Sequence, residues 1–133
     1  MLFRSAWRTR FEEYRKQFPA LAERLFRMQR RQLPDSWDKD LPTFPADPKG
    51  KATRETSGLV LNALAKNVPW IMGGSADLAP SCKTRLTFEG AGDFSAANPC
   101  GRNLHFGIRE HAMGAILNGL SLCKVRPYTT TAR

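Results

Sequence analysis

Four of the nine prolines stand at positions 34, 42, 45 and 48, inside LPDSWDKDLPTFPADPKGK, Leu33–Lys51. Each lacks a backbone N–H and holds φ at about −65°, so neither a helix nor a central strand runs through this stretch. The chain is thereby divided into a basic helical segment (1–32), a Pro-rich linker (33–50) and a domain (51–133). Composition changes at the same place, because all ten glycines lie between residues 50 and 119. A chain of 133 residues is one small domain or part of a larger one.

In the first segment Phe11, Tyr14, Phe18, Leu21, Leu25 and Met28 follow helical spacing and predict one apolar packing stripe. Pro19 interrupts it. One helix is expected to end near Gln17 and another to begin with Pro19 in its first turn, where a missing N–H costs little. Residues 1–31 carry nine of the 21 Lys and Arg against three acids, Glu12, Glu13 and Glu23. A basic arm of this kind suits an acidic surface, but no nucleic-acid motif accompanies it, and a solvated helix face is the reading adopted. Met1–Arg10 is Arg-rich and acid-free, yet too short for an import sequence. No apolar run reaches membrane-spanning length. Cys82, Cys100 and Cys123 lack paired or metal-type spacing, so a reducing compartment, the cytoplasm, is expected.

Beyond the linker, ATRETSGLVLNALAK (52–66) reads as a helix with Thr53 as candidate N-cap and Asn67 as its stop. VPWIM (68–72) reads as a short strand closed by Gly73 and Gly74. Residues 75–103 have no sustained period, and a loop of this length is functional or disordered. Leu104–Phe106 reads as a strand and Gly107 as the turn out of it. Ala112, Ala115, Ile116, Gly119 and Leu120 then mark the expected buried face of a helix, and Val125–Tyr128 begins another extended segment. This order predicts an α/β fold containing part of a parallel sheet.

Within GRNLHFGIREHAMGAILNG (101–119), Glu110 lies three residues after Gly107. With Gly107 as N-cap, its carboxylate meets the positive end of the helix dipole and contributes about 0.3–1 kcal/mol. Capping alone accounts for it. A glycine-flanked strand-to-helix turn also lets a ligand approach the backbone, and the carboxyl ends of parallel strands are where α/β folds bind ligands. His105, His111 and Cys100 do not match metal-ligand spacing. Phosphate-loop, dinucleotide and zinc-protease motifs are absent, and Ser75 of GGSAD is not a nucleophile elbow.

These residues together resemble a known family. GRNLHFGIREHAMGAILNG is similar to the central signature of transketolases. LPDSW…LPTF, ATRETSG and GGSADLAPSCKT resemble, in order, segments leading into and opening their pyrimidine-binding domain. The likeness covers about residues 11–128. It implies a partial, incomplete parallel-sheet thiamine-diphosphate-binding fold preceded by the helical and Pro-rich segments. The implied function is transfer of a two-carbon ketol unit between ketose and aldose phosphates, with thiamine diphosphate as cofactor. On this resemblance Glu110 is the catalytic and cofactor-binding acid, hydrogen-bonding the aminopyrimidine ring so as to favour its imino form. That role needs the carboxyl group taken out of water and fixed in direction. Arg54 and Ser81 are the implied contacts to the substrate phosphate. Asp77 is the implied cofactor-side residue near the dimer interface; read by itself it fits an Asx-turn equally well. Arg109 and His111 are implied to be supporting or interface groups.

The resemblance also sets expectations for what is missing. Transketolases are three-domain proteins, and their magnesium ligands belong to a diphosphate-binding domain without a counterpart here. After RPY the family continues with a glycine-rich segment, where this chain has Thr129–Arg133. The chain is therefore expected to be a middle piece, catalytically inactive alone, and to fold poorly or self-associate through a bare sheet edge. The implied partners are sugar phosphates and a second subunit, in a homodimer or with a full-length transketolase, and neither nucleic acid nor membrane. A non-catalytic interaction module of that origin is the alternative, and dihydroxyacetone synthase shares much of the motif set.

Overall fold

A computed structural model describes residues 2–130 of the chain. Residues 131–133, at the end of the expected domain, lie outside the described residues. The chain divides into two compact units, Met1–Leu33 and Pro34–Arg133.

The first unit is a helical hairpin of α1 (Leu2–Gln17) and α2 (Pro19–Gln29). Proline opens α2 as anticipated, since the first helical N–H has no partner to lose. Phe11 holds the hairpin together. Its ring stacks on Trp7 at 5.2 Å and meets Phe26 edge-on at 5.3 Å. Ala22 is buried. Two members of the expected stripe, Phe18 and Leu21, remain 47% and 45% exposed. The break is the reason: Phe18 has φ −132° and ψ 63°, so helical phase does not carry across it.

The second unit begins with residues 34–52, which form turns but no helix or strand. There follow α3 (Thr53–Asn67), β1 (Ile71–Ser75), α4 (Ala79–Cys82), β2 (Asn103–His105), α5 (Glu110–Leu122) and β3 (Arg126–Thr130). The N-cap of α3 is Ala52, without a side-chain cap, rather than Thr53. The three strands form a parallel sheet in the order β2-β1-β3. This is the α/β architecture with a partial parallel sheet that the sequence predicted.

The central strand differs from its expected bounds in an instructive way. Gly73 and Gly74, read as the stop after VPWIM, lie inside β1. Gly73 pairs with Asn103 on one side and Tyr128 on the other. A Cβ on Gly73 would collide with the Tyr128 carbonyl, and one on Gly74 with that of Leu104. The glycines are there because two strands close in on them.

Residues 76–102 are ordered by buried polar contacts. The Asn103 amide donates to the Leu86 carbonyl at 3.0 Å and the Gly92 carbonyl at 3.1 Å, and its oxygen accepts the Leu86 N–H at 2.8 Å. That seats Leu86 and Ala91 in a core with Ala65. The Arg102 guanidinium donates to the carbonyls of Ala65 (2.7 Å), Val68 (3.0 Å) and Ile71 (2.8 Å). It therefore caps the end of α3 and fixes the entry to β1. A second core of Ala76, Phe106 and Met113 seats α5 against the sheet. The buried side of α5 is not the one expected. Met113 and Leu117 face inward, whereas Ala112, Ala115, Ile116 and Gly119 are exposed. The larger side chains reach the core, and the small-residue side stays open.

Tyr128 links β3 to the ordered loop, donating its hydroxyl to the Thr84 carbonyl at 2.8 Å. Burial pushes its phenol up to about 12 from 10.0, against the opposing charge of Arg102. The folded form thus holds this proton after the unfolded chain has released it. The stabilisation is complete below pH 10 and is lost as pH rises towards 12. Urea midpoints measured from pH 9 to 12 are expected to fall more steeply for the natural chain than for Tyr128→Phe; parallel curves would refute this.

Candidate functional site

The carboxyl ends of β1 and β2 and the start of α5 lie at one side of the second unit, the ligand side of a parallel α/β sheet. Two neighbouring clefts open there. One, of about 670 Å³, is lined by Asp77, Arg85, His105 and Gly107 among others. The other, of about 730 Å³, is lined by Arg54, Ser57, Ser81 and Lys83. Glu55, Pro80 and Lys83 border both.

Arg54 and Ser81 are thus brought together, although they belong to different elements. Arg54 projects from the first turn of α3, and Ser81 lies in the single turn α4. The two helices can touch because position 58 is glycine. A Cβ there would stand 2.8 Å from the Lys83 Cβ and 2.9 Å from the Lys83 carbonyl oxygen. Neither Arg54 nor Ser81 has a side-chain partner among the described residues.

Asp77 follows β1 with φ 60°, its N–H bonded to the Ser75 carbonyl at 3.0 Å. It faces the first cleft rather than the one holding Arg54. Its carboxylate makes no hydrogen bond or ion pair among the described residues. A side-chain Asx-turn therefore does not explain it.

Glu110 is the first residue of α5, with Arg109 as N-cap. The expected third-position capping geometry from Gly107 is not formed. The chain turns at Gly107 (φ 63°), the Arg109 N–H bonds the Gly107 carbonyl, and the Arg109 guanidinium donates to the Phe106 carbonyl at 3.1 Å. Arg109 is therefore tied to the turn that aims Glu110. Glu110 and His111 are exposed, and the Glu110 carboxylate has no partner among the described residues. Glu110 lines neither cleft, although Gly107, three residues before it, borders the first.

Several groups at these clefts carried no sequence signal. Beside the first cleft, Asp93 accepts a hydrogen bond from Arg85 at 3.1 Å and approaches His105 Nε2 at 3.2 Å. The Arg85 hydrogen bond, and then that from His105, hold its carboxyl below the ordinary aspartate value. Lys83 pairs with Glu55 at 3.5 Å. Residues scattered from 55 to 105 meet only in the fold. Among the described residues there is no group of three or more His, Cys, Asp or Glu arranged to hold a metal ion, and no helix is long and apolar enough to cross a membrane. None of the three cysteines is in a disulfide.

Residues 49–132 match the family model described as "Transketolase, pyrimidine binding domain". The chain is 49% identical over 118 residues to the chloroplastic transketolase-1 of Arabidopsis thaliana, covering 89% of this chain and 16% of that protein. It is 48% identical over 118 residues to the transketolase of Bacillus subtilis (strain 168), covering 87% of this chain and 17% of that protein. Among solved structures, the transketolase of Leishmania mexicana superposes with a TM-score of 0.85 at 40% identity, over 96% of this chain and 19% of that one. The Pichia stipitis transketolase complexed with sedoheptulose 7-phosphate superposes with a TM-score of 0.83 at 39% identity, over 97% and 20%. The chain thus spans about a sixth of the length of these two curated relatives.

Proposed function

Because the chain belongs to the transketolase family through its pyrimidine-binding domain, we propose that it forms the pyrimidine side of a thiamine-diphosphate-dependent ketol-transfer site. A second polypeptide surface supplies the remainder. The observation that carries this reading is the convergence of Arg54 and Ser81 on one cleft, with both polar ends uncommitted.

The donor set fits the pyrimidine end of the cofactor. A carboxyl group aimed from a helix start, with no intramolecular partner, is the group an aminopyrimidine nitrogen requires. The described residues provide no comparable set for a diphosphate–magnesium unit, so this reading places those ligands on the second surface. When bound, the cofactor supplies the electron sink for breaking and making the carbon–carbon bond. The chain's own residues orient and hold. Glu110 would share a proton with the ring nitrogen, and Asp77 would contribute from the first cleft. The Arg54 guanidinium and Ser81 hydroxyl grip the sugar phosphate, a pairing suited to phosphate oxygens.

In the single chain Glu110 is exposed, whereas proton sharing requires it to be removed from water. Ile108 just before α5, and Ile116 and Leu122 within it, are also exposed, at 79%, 48% and 77%. Both features support a second subunit seated over α5, from another copy of this chain or from a full-length transketolase. These exposed apolar side chains equally support the alternative of a non-catalytic module that docks on an intact subunit.

A coupled ketol-transfer assay on the purified chain, with thiamine diphosphate, magnesium and sugar phosphates, is expected to show no turnover. Adding the diphosphate-binding region of the Bacillus subtilis relative is expected to restore it. Binding without restored turnover would select the docking module instead, and turnover by the chain alone would contradict the need for a second surface.

A further inference from the structure

We propose that Lys83 is a second cation of the Arg54–Ser81 cleft, that the cleft thereby takes a dianionic phosphomonoester, and that Glu55 competes for Lys83. This rests on the proposed role of Arg54 and Ser81, and it adds a residue that decides which charge state binds.

Lys83 borders the same cleft as Arg54 and Ser81, two positions beyond Ser81 at the end of α4. Its backbone is held in place. It occupies the left-handed region at φ 55°, and its Cβ and carbonyl pack against Gly58 of α3. The side chain therefore leaves a defined point between the two helices. Its ammonium lies 3.5 Å from the Glu55 carboxylate, and both side chains are about half exposed. An exposed pair of this kind is weak, so a dianion in the cleft can draw the ammonium away.

The charges explain the selectivity. Arg54 alone matches a monoanion. A sugar phosphate near neutral pH carries close to two negative charges, and a second cation balances the second charge. Glu55, bordering the cleft from the first turn of α3, repels the same dianion and holds Lys83 back. The Lys83–Glu55 pair thus sets the strength of the site without changing its shape.

The probe is inorganic phosphate, titrated calorimetrically into the purified chain at two ionic strengths, with far-UV circular dichroism to verify folding. Lys83→Met is expected to weaken binding about fivefold and to reduce its salt dependence. Lys83→Arg should retain most of it. Glu55→Gln should tighten binding by a few-fold, about the weight of an exposed charge pair, and that gain should vanish in the Lys83→Met background. A merely structural lysine would not produce this coupling. Should Lys83→Met fail to fold, a gain from Glu55→Gln supports the proposal and no gain overturns it. If Arg54→Met weakens binding while Lys83→Met does not, the Lys83 proposal falls and the Arg54–Ser81 reading stands. If the natural chain binds no phosphate, or Arg54→Met leaves binding unchanged, both fall.

Discussion

Glu110→Gln is expected to lower ketol transfer about 10²–10⁴-fold when the chain works beside a diphosphate-binding partner, with little change in KM for the sugar phosphate. Glutamine preserves the size and hydrogen-bonding reach of the side chain at the first position of α5. It removes the one property the proposed role needs, a proton that can be shared with a ring nitrogen. On the proposed reading the substrate's phosphate is held elsewhere, by Arg54 and Ser81, which line their own cleft, so binding and turnover should separate. Steady-state kinetics on the reconstituted complex read this directly. A variant with the natural kcat would remove Glu110 from the chemistry and leave it a helix-start residue.

Gly73→Val is expected to destabilise the second unit severely. The strand at this position is flanked on both sides, by Asn103 and by Tyr128. A side chain there overlaps the Tyr128 carbonyl, and the Tyr128 ring lies 2.9 Å from even the first added carbon. Relief requires β3 to leave β1, which also breaks the Tyr128–Thr84 hydrogen bond and unseats α5 through Met113 and Thr129. The cost exceeds about 4 kcal/mol, the range reserved for such core collisions, and small domains have reserves of only about 5–15 kcal/mol. The natural chain and the variant would be compared by urea unfolding monitored by circular dichroism. A midpoint within experimental scatter of the natural chain's would show that the sheet can open at Gly73.

The helix break at Pro19 and the Pro-rich stretch were legible because their cause is covalent: a ring on the backbone nitrogen acts wherever it stands. The parallel α/β order was also legible, since α3 and α5 carry helical spacing and the strands are short apolar runs between turn residues. Gly73 and Gly74 were misread because glycine has two uses. It ends strands where the chain must turn, and it occupies strands where neighbours approach too closely for a Cβ. Only the neighbours distinguish the two. The inward side of α5 was misread for a related reason, since Ala112, Ala115 and Gly119 pattern as a buried face and nothing local says which side meets the sheet.

The membership in a family and the nomination of Glu110, Arg54 and Ser81 came from the order of residues alone, because motif residues sit close together along the chain. The fold decided that Arg54, Ser81 and Lys83 share one cleft while Asp77 faces another, and that the Glu110 carboxylate stands exposed. Local sequence fixes geometry over a turn or two of backbone. A cleft is built from elements dozens of residues apart, and their spacing is set by packing, here by the missing side chain at Gly58 that lets α4 lie against α3.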